Sequence, residues 1–207
     1  MSVSLSLICH GATEATRRAA FPQDEPLDPH SQARAALLGT TLRRVDHAMT
    51  SPAARARQTA AAFGLDPAVD PMLADADYGR WAGRPMEAIE AEEPDALMKW
   101  IADADTAPHG GESVAQVVAR MACWLDQTSR LQGKIVAIAH AANLRAALVT
   151  VLNAELQAFW RIDAGPFCRL NLQARGGMWT LRSIGPLRAP SADGGRVRPM
   201  LPDEPPS

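Results

Sequence analysis

The sequence has few cysteines and no long apolar run, and these absences exclude several classes of protein. Its 207 residues include only Cys9, Cys123 and Cys168, which lie far apart. An odd number of widely spaced cysteines does not suit a disulfide framework, and no CxxC spacing indicates a structural zinc site. The apolar stretches are too short for a signal segment or a membrane span. We therefore expect a soluble, cytoplasmic protein that does not act on a membrane.

An excess of charge of either sign is also lacking. Lys and Arg total 21 and Asp and Glu total 23, which gives a formal net charge of -2. Without a basic field the chain is not expected to recruit nucleic acid, so any preference for anions must arise locally. The sequence has no internal repeat, and its length is typical of one domain.

Two short apolar runs are present, and each is followed by a histidine. Residues 3–9 precede His10, and residues 134–139 precede His140. Such runs are typical of strands buried on both faces of a parallel sheet. Because ligands of open α/β sheets bind beyond the carboxyl ends of strands, both histidines are expected to face one crevice. The alternative interpretation is that each is a packed, hydrogen-bonded histidine with no chemical role.

Capping residues and periodicity predict helices between the strands. Ser51 is expected to cap a helix, with Pro52 at its first position, Arg55 in its first turn and Gly64 at its left-handed end. Further elements are predicted as helices at 30–43, 84–104 with an interruption at Pro94, 113–128 and 142–152, and as strands at 45–49, 167–174 and 178–184. This alternation predicts an α/β fold: a three-layer sandwich with a mostly parallel central sheet flanked by helices.

The chain is expected to divide into a folded domain and a tail. Residues 1–187 carry the predicted elements, whereas residues 188–207 are rich in Pro, Gly and charge and have little to bury. We expect this tail to be mobile and dispensable for the fold. A strand at 178–184 that lies at the edge of the sheet can pair with a second copy, so a homodimer is one possible assembly.

Five segments resemble the motifs of the histidine phosphatase superfamily, in its phosphoglycerate mutase-like branch. The family's Leu-Ile-Arg-His-Gly-Glu-Thr signature is resembled by LICHGAT at 7–13, and its Ser-Pro-x-x-Arg-Ala-x-Gln-Thr-Ala motif by SPAARARQTA at 51–60. The remaining matches are LADADYGRWAGRP at 73–85, HGGES at 109–113 and VAIAHAANLRAAL at 136–148. Order and spacing agree from about residue 4 to residue 150.

The resemblance implies a phosphoglycerate mutase-like fold and a two-step phosphoryl transfer through a phosphohistidine. His10 would be the nucleophile, and Arg55 and His140 would hold the phosphoryl oxygens. The family's acidic residue is a glutamate; here it aligns with Asp75, which is one methylene shorter and would protonate the leaving alcohol, with Asp77 as an alternative. An imidazole nitrogen must be unprotonated to attack phosphorus, and this form of the ring is accessible near neutral pH. The scheme requires no metal and no cofactor.

At Cys9 the chain departs from the signature, which has an arginine at that position. By the resemblance, Cys9, Gly11 and Thr13 would line the phosphate site. A charged hydrogen bond contributes about 1.5–3 kcal/mol, so its loss is expected to weaken phosphate binding by about 10-fold to 150-fold. The arginines that could compensate, each also explained as a surface or structural residue, are Arg17, Arg18, Arg80, Arg84 and Arg145.

Two classes of function are therefore carried forward. The first is a phosphomonoesterase acting on a small phosphorylated metabolite, and relatives of this kind include the α-ribazole phosphate phosphatases. Segment 78–109 would form a lid whose aromatic and Met side chains favour a roomy apolar leaving group. The second is a catalytically degenerate or repurposed family member, either a ligand-binding protein or an enzyme of other chemistry using the same pocket. A metal site is a further alternative, built from Cys9, His10, Asp75 and His140.

Overall fold

A six-stranded sheet organises the structure, a computed structural model that describes residues 2–42 and 44–189. The strands are β1 (Ser2–Cys9), β2 (His47–Thr50), β3 (Ala68–Val69), β4 (Gly133–Ala139), β5 (Cys168–Arg175) and β6 (Met178–Pro186). Their order is β3-β2-β4-β1-β5-β6. The first four strands of this order run parallel, and β5 is antiparallel to both of its neighbours. The mostly parallel sheet predicted from the sequence is confirmed.

Helices connect the strands and cover both faces of the sheet. They are α1 (Glu14–Arg17), α2 (Pro29–Gly39), α3 (Ala54–Ala62), α4 (Met86–Glu92), α5 (Pro94–Ala102), α6 (Val114–Ser129) and α7 (Ala141–Val151). Short 3₁₀ turns lie at Pro71–Leu73, Gly79–Trp81 and Leu156–Arg161. The predicted interruption at Pro94 separates α4 from α5, because proline suits the first turn of a new helix.

The alternation of side chains along β1 creates the two buried layers. Leu5, Leu7 and Cys9 pack with α6 and α7 on one face, whereas Ile8 packs with α2 and α3 on the other. These two clusters on opposite faces of the sheet make the three-layer sandwich. A third, smaller cluster lies under the segment after β3 and contains Phe21, Trp81, Ile89, Leu97 and Trp100.

The start of α3 differs from the prediction. The helix begins at Ala54 with Ala53 as its N-cap residue, so the assignments of Ser51 as cap and Pro52 as first helical residue are wrong. The Ser51 hydroxyl is engaged elsewhere, since its Oγ lies 2.7 Å from Nε2 of His140. The predicted end is confirmed, because Gly64 follows the helix with φ of +72°.

The last described segment stays packed against the sheet. β6 lies at the sheet edge, and after it Leu187 is 2% exposed and donates its backbone N–H to Phe167 O at 2.9 Å. Of the predicted tail 188–207, residues 190–207 lie outside the described part of the chain. Among the residues that the structure describes, no helix is long and apolar enough to cross a membrane.

Candidate active site

His10 and His140 lie side by side at the carboxyl ends of two adjacent parallel strands. Cys9 of β1 is paired with Ala139 of β4, so the residue after each strand emerges at the same edge of the sheet. The ring centroids of the two histidines are 5.0 Å apart in an edge-to-face arrangement. The predicted common crevice is confirmed.

The hydrogen bonds of His10 fix its tautomer. Its Nδ1 lies 2.6 Å from Gly11 O, and because a carbonyl oxygen only accepts, Nδ1 carries the proton. The Nε–H of Arg55 donates to His10 Nε2 at 3.2 Å, so Nε2 presents a lone pair. Burial, with the nearby charges of His140 and Arg55, lowers the pKa of His10 from 6.5 to about 3. His10 is therefore a neutral imidazole with its free nitrogen in the pocket.

Arg55, in the first turn of α3, is 1% exposed and held on three sides. Besides the bond to His10, one terminal nitrogen donates to Gln23 O at 2.5 Å and the other to Asp75 Oδ2 at 2.7 Å. A guanidinium fixed in this way presents its charge in one orientation, as an anion-binding pocket requires.

Asp75 is the carboxylate of the pocket. Its Oδ2 contacts Arg55 and lies 3.2 Å from His140 Nδ1, and its Oδ1 accepts the N–H of Ala76 at 2.9 Å. Burial alone would raise the pKa of Asp75, but His140 and Arg55 outweigh it and hold the pKa well below its ordinary value. Without a ligand, Asp75 is thus ionised. Asp77 is exposed and its Oδ1 accepts the N–H of Gly79 at 2.8 Å, outside the pocket.

His140 directs one ring nitrogen into the pocket and the other away from it. Nε2 contacts the Ser51 hydroxyl, whose oxygen also accepts the N–H of Ala53 at 3.2 Å. Nδ1 faces Asp75, whose Oδ2 lies 3.2 Å away at ion-pair distance, and this buried nitrogen has no hydrogen-bond partner in the described part of the chain.

Cys9 lies in the same crevice as a buried neutral thiol. Burial, reinforced by the Asp75 carboxylate, raises the pKa of Cys9 well above its ordinary value. Thiolate nucleophilicity and metal binding both need a lowered pKa, so this environment favours an inert Cys9. Within the described residues, no group of three or more His, Cys, Asp or Glu side chains is arranged to hold a metal ion.

Gly11 and Thr13 support the pocket from behind. The Gly11 carbonyl orients His10, and its N–H donates to Thr59 Oγ1 at 3.1 Å. Thr13 caps α1 and donates its hydroxyl hydrogen to Glu25 Oε1 at 2.9 Å. Direct phosphate contact by either residue stays a prediction.

The catalytic cavity beyond these groups has a volume of about 220 Å³. Cys9, His10, Asp75, Tyr78 and Arg145 line it, together with the acidic residues Glu25 and Asp163 and with small residues that include Ala141 and Ala142 at the start of α7. Of the aromatic and Met side chains predicted to favour a roomy leaving group, Tyr78 alone lines this cavity, and the space is compact. A larger cavity of about 640 Å³ lies between α7 and β6, but neither histidine lines it, so the smaller cavity is the candidate site.

The five candidate arginines separate clearly. Arg17 pairs with Asp28, Arg80 with Glu93, and Arg84 with Glu92 and Glu93, while Arg18 lines a separate surface depression. Arg145 is the one of the five that lines the catalytic cavity.

The match to a protein family agrees with this geometry. The model of the histidine phosphatase superfamily (branch 1) matches residues 5–185. The chain belongs to this family.

Similar proteins are known both by sequence and by structure. Glucosyl-3-phosphoglycerate phosphatase of Mycobacterium tuberculosis is 44% identical over 57 residues, which are 28% of this chain and 26% of that protein. Phosphoserine phosphatase of Entamoeba histolytica, solved with 3-phosphoglyceric acid, has a TM-score of 0.79 at 21% identity and covers 88% of this chain and 96% of its own. A putative alpha-ribazole-5'-P phosphatase of Escherichia coli has a TM-score of 0.79 at 22% identity, covering 94% and 99%. The structural matches establish the fold, and the sequence match spans about a quarter of the curated relative.

Three residues that support this candidate site were not predicted from the sequence. Ser51 orients His140, as described above. Arg120 of α6 donates to the carbonyl oxygens of Met72 and Ala74 at 2.7 and 2.9 Å, and Asn143 of α7 donates to Ala74 O at 3.1 Å. Arg120 and Asn143 thereby hold the segment that carries Asp75. Ser51 and Asn143 lie within segments that resemble family motifs, whereas no local pattern marks Arg120.

Proposed function

We propose that the protein is a phosphatase that hydrolyses phosphomonoesters of a small metabolite through a phosphohistidine at Nε2 of His10. The observation that carries the proposal is the bond from Nδ1–H of His10 to Gly11 O. It places the proton on Nδ1, while the lowered pKa keeps Nε2 free at neutral pH. A neutral imidazole so oriented is an activated nucleophile without any further base.

In the first step, Nε2 of His10 attacks phosphorus and the bond to the leaving oxygen breaks. The Nε–H of Arg55, which donates to His10 in the absence of substrate, donates instead to an equatorial phosphoryl oxygen. Nδ1 of His140 contacts a second equatorial oxygen. Fixed donors of this kind stabilise the charge that develops on the transferring group. The start of α7 at Ala141 adds a helix N-terminus that favours an anion.

Asp75 gives its proton to the leaving oxygen and later takes one from water. The resting carboxylate is ionised because Arg55 and His140 face it. A bound phosphate draws these groups toward itself and adds negative charge beside Asp75, and both changes raise its pKa, so that Asp75 takes up a proton from solvent as the substrate binds. Substrate binding thus prepares the general acid. In the second step water attacks phosphorus, the P–N bond breaks, and Asp75 accepts the proton released by water.

The proposal is tested by assaying a generic aryl phosphate and a panel of phosphorylated metabolites with the wild type, His10→Ala and Cys9→Arg. Wild-type turnover that is lost in His10→Ala supports it. Cys9→Arg adds a cation and is expected to tighten phosphate binding by about 10-fold to 150-fold.

The neutral Cys9 specifically favours a second candidate, a family member that binds phosphorylated ligands without turning them over. In that case the wild type turns over no phosphate and activity is found only in Cys9→Arg. This result would overturn the phosphatase proposal.

A further inference from the structure

We infer that Tyr78, Trp100, Arg145 and Trp160 form a second ligand site beside the catalytic cavity, and that it binds a carboxylate carried by the leaving group. The inference rests on the proposed phosphatase function and names its substrate class: phosphomonoesters of small hydroxy acids. The four side chains are called the acceptor site below.

The acceptor site surrounds a small chamber of about 30 Å³. Tyr78 and Arg145 line both this chamber and the catalytic cavity, so the two spaces share a wall. A polar cavity holds a water once about 10–15 Å³ is open to it, so this chamber has room for one compact polar group. A substituent on the leaving alcohol can therefore enter the chamber while the phosphoryl group faces His10.

Two buried donors in the chamber wall have no acceptor. The Nε1–H groups of Trp100 and Trp160 are both buried without a hydrogen-bond partner in the described part of the chain, and Trp100 is only 6% exposed. An indole nitrogen only donates, and a buried donor left unpaired destabilises the fold. Paired donors are the rule in protein interiors, so two such groups around one chamber indicate a missing acceptor.

Arg145 adds positive charge to these donors. Its Nε–H donates to Ile162 O at 2.9 Å, and its guanidinium carbon lies 5.7 Å from the centroid of the Phe159 ring. These contacts hold the side chain in place, and no acidic group of the described chain lies within ion-pair distance of it. Glu112 also lines the chamber, but its two oxygens accept from Arg120 at 2.9 and 2.8 Å.

The chemistry of the acceptor site selects an anion with several lone pairs. A carboxylate accepts hydrogen bonds at both oxygens and pairs with the planar guanidinium of Arg145. A hydroxyl or an apolar group leaves the charge of Arg145 or the indole donors unmatched, and such mismatches discriminate strongly between substrates.

The test compares kcat/KM for two pairs of esters: O-phosphoserine with O-phosphoethanolamine, and 3-phosphoglycerate with glycerol 3-phosphate. Each pair contrasts a carboxylated ester with one that lacks the carboxylate. The wild type is expected to prefer the carboxylated member, and Arg145→Met to reduce this preference by about 10-fold to 150-fold. Trp160→Phe should also reduce it, by about 10-fold, because it removes one N–H donor to the charged carboxylate. Arg145→Lys should restore part of it.

The matched control is Arg161→Met, an exposed arginine at the end of a 3₁₀ turn, which should keep the wild-type preference. A wild type without preference, or an equal loss on both members in Arg145→Met, would overturn the acceptor site.

Calorimetry with His10→Ala separates the two proposals. If this variant binds the carboxylated esters more tightly than their partners, the acceptor site stands even where the wild type has no turnover, and only the phosphatase function fails. Equal binding of both members would refute the site.

Discussion

At His10, one hydrogen bond determines which ring nitrogen can react. The acceptor is a backbone carbonyl, so the proton must lie on Nδ1, and Arg55 faces the lone pair of Nε2. Asp75 and His140 complete the group within hydrogen-bond or ion-pair distance. An ionised group that is removed from water must have a partner, so burial holds the charged side chains of this pocket against their neighbours.

The neutral state of His10 makes the fold sensitive to acid. Its pKa is lowered from 6.5 to about 3, so between these values the unfolded chain binds a proton that the folded chain does not. The contribution of neutral His10 to the free energy of unfolding is therefore complete above about pH 6.5 and is lost as the pH falls toward 3. From pH 7 to about pH 4.5, His10→Gln should lose about 2–3 kcal/mol less unfolding free energy than the wild type. Denaturant unfolding at both pH values measures this, and equal losses would refute a neutral buried His10.

The contribution of Asp75 to the rate should increase with the basicity of the leaving oxygen. An alkoxide needs a proton as it departs, whereas a nitrophenolate does not. Asp75→Asn is expected to lower kcat/KM, which reports the transfer of the phosphoryl group to His10, by about 10²-fold to 10⁴-fold on an alkyl phosphate and much less on p-nitrophenyl phosphate. The matched control is Asp77→Asn, since Asp77 lies outside the pocket. Equal losses on both substrates in Asp75→Asn would contradict the general-acid role.

At the scale of elements, the site depends on two parallel strands, the start of α7 and a clamped segment. The pairing of β1 with β4 aligns His10 with His140, and α3 supplies Arg55. Asp75 lies in irregular backbone, so its position depends on Arg120 and Asn143, which bind the carbonyl groups before it.

Arg120 is therefore expected to act through Asp75 without touching the substrate. Arg120→Met removes charged hydrogen bonds to Met72 O and Ala74 O and should lower the unfolding free energy by about 1.5–3 kcal/mol. It should also reduce kcat/KM on alkyl phosphates more than on p-nitrophenyl phosphate. The control is Arg130→Met, whose exposed pair with Asp126 contributes only about 0–1 kcal/mol. Equal kinetic losses on both esters would show that Arg120 does not position Asp75.

The sequence predicted the elements whose patterns are local. The buried strands before His10 and His140, the break at Pro94 and the left-handed Gly64 all follow from runs, proline and glycine, and each is confirmed. Ser51 was misassigned because its hydroxyl is used by His140, a contact across 89 positions of chain that local capping rules cannot see. β3 has two residues, too few for any periodicity.

At the scale of the whole molecule, Leu187 is the last buried residue of the three-layer domain in the described part of the chain. This side chain is 2% exposed and packs on the α2–α3 face, whereas Arg188 and Ala189 are exposed. The buried contribution of the C-terminal region thus extends one residue beyond β6, and we assign no packing role to anything after it in the described chain.

A chain that ends at residue 189 should therefore melt close to the full-length chain. A chain that ends at residue 186 also loses the Leu187 side chain, a loss of about 1.5–3 kcal/mol. Its thermal midpoint should fall by about 3–12 °C at this chain length. Differential scanning calorimetry of the three proteins decides this, and a drop of many degrees for the 189-residue chain would refute a dispensable tail.

The most direct test of phosphatase chemistry at His10 is to trap the phosphoenzyme. The wild type is mixed with excess aryl phosphate, quenched in denaturant at neutral to basic pH, and analysed by intact mass and peptide sequencing. We predict one added phosphoryl group that is lost in acid, maps to His10 and is absent from His10→Ala. Turnover without any adduct, or an adduct that maps to Cys9, would contradict the proposed phosphohistidine route.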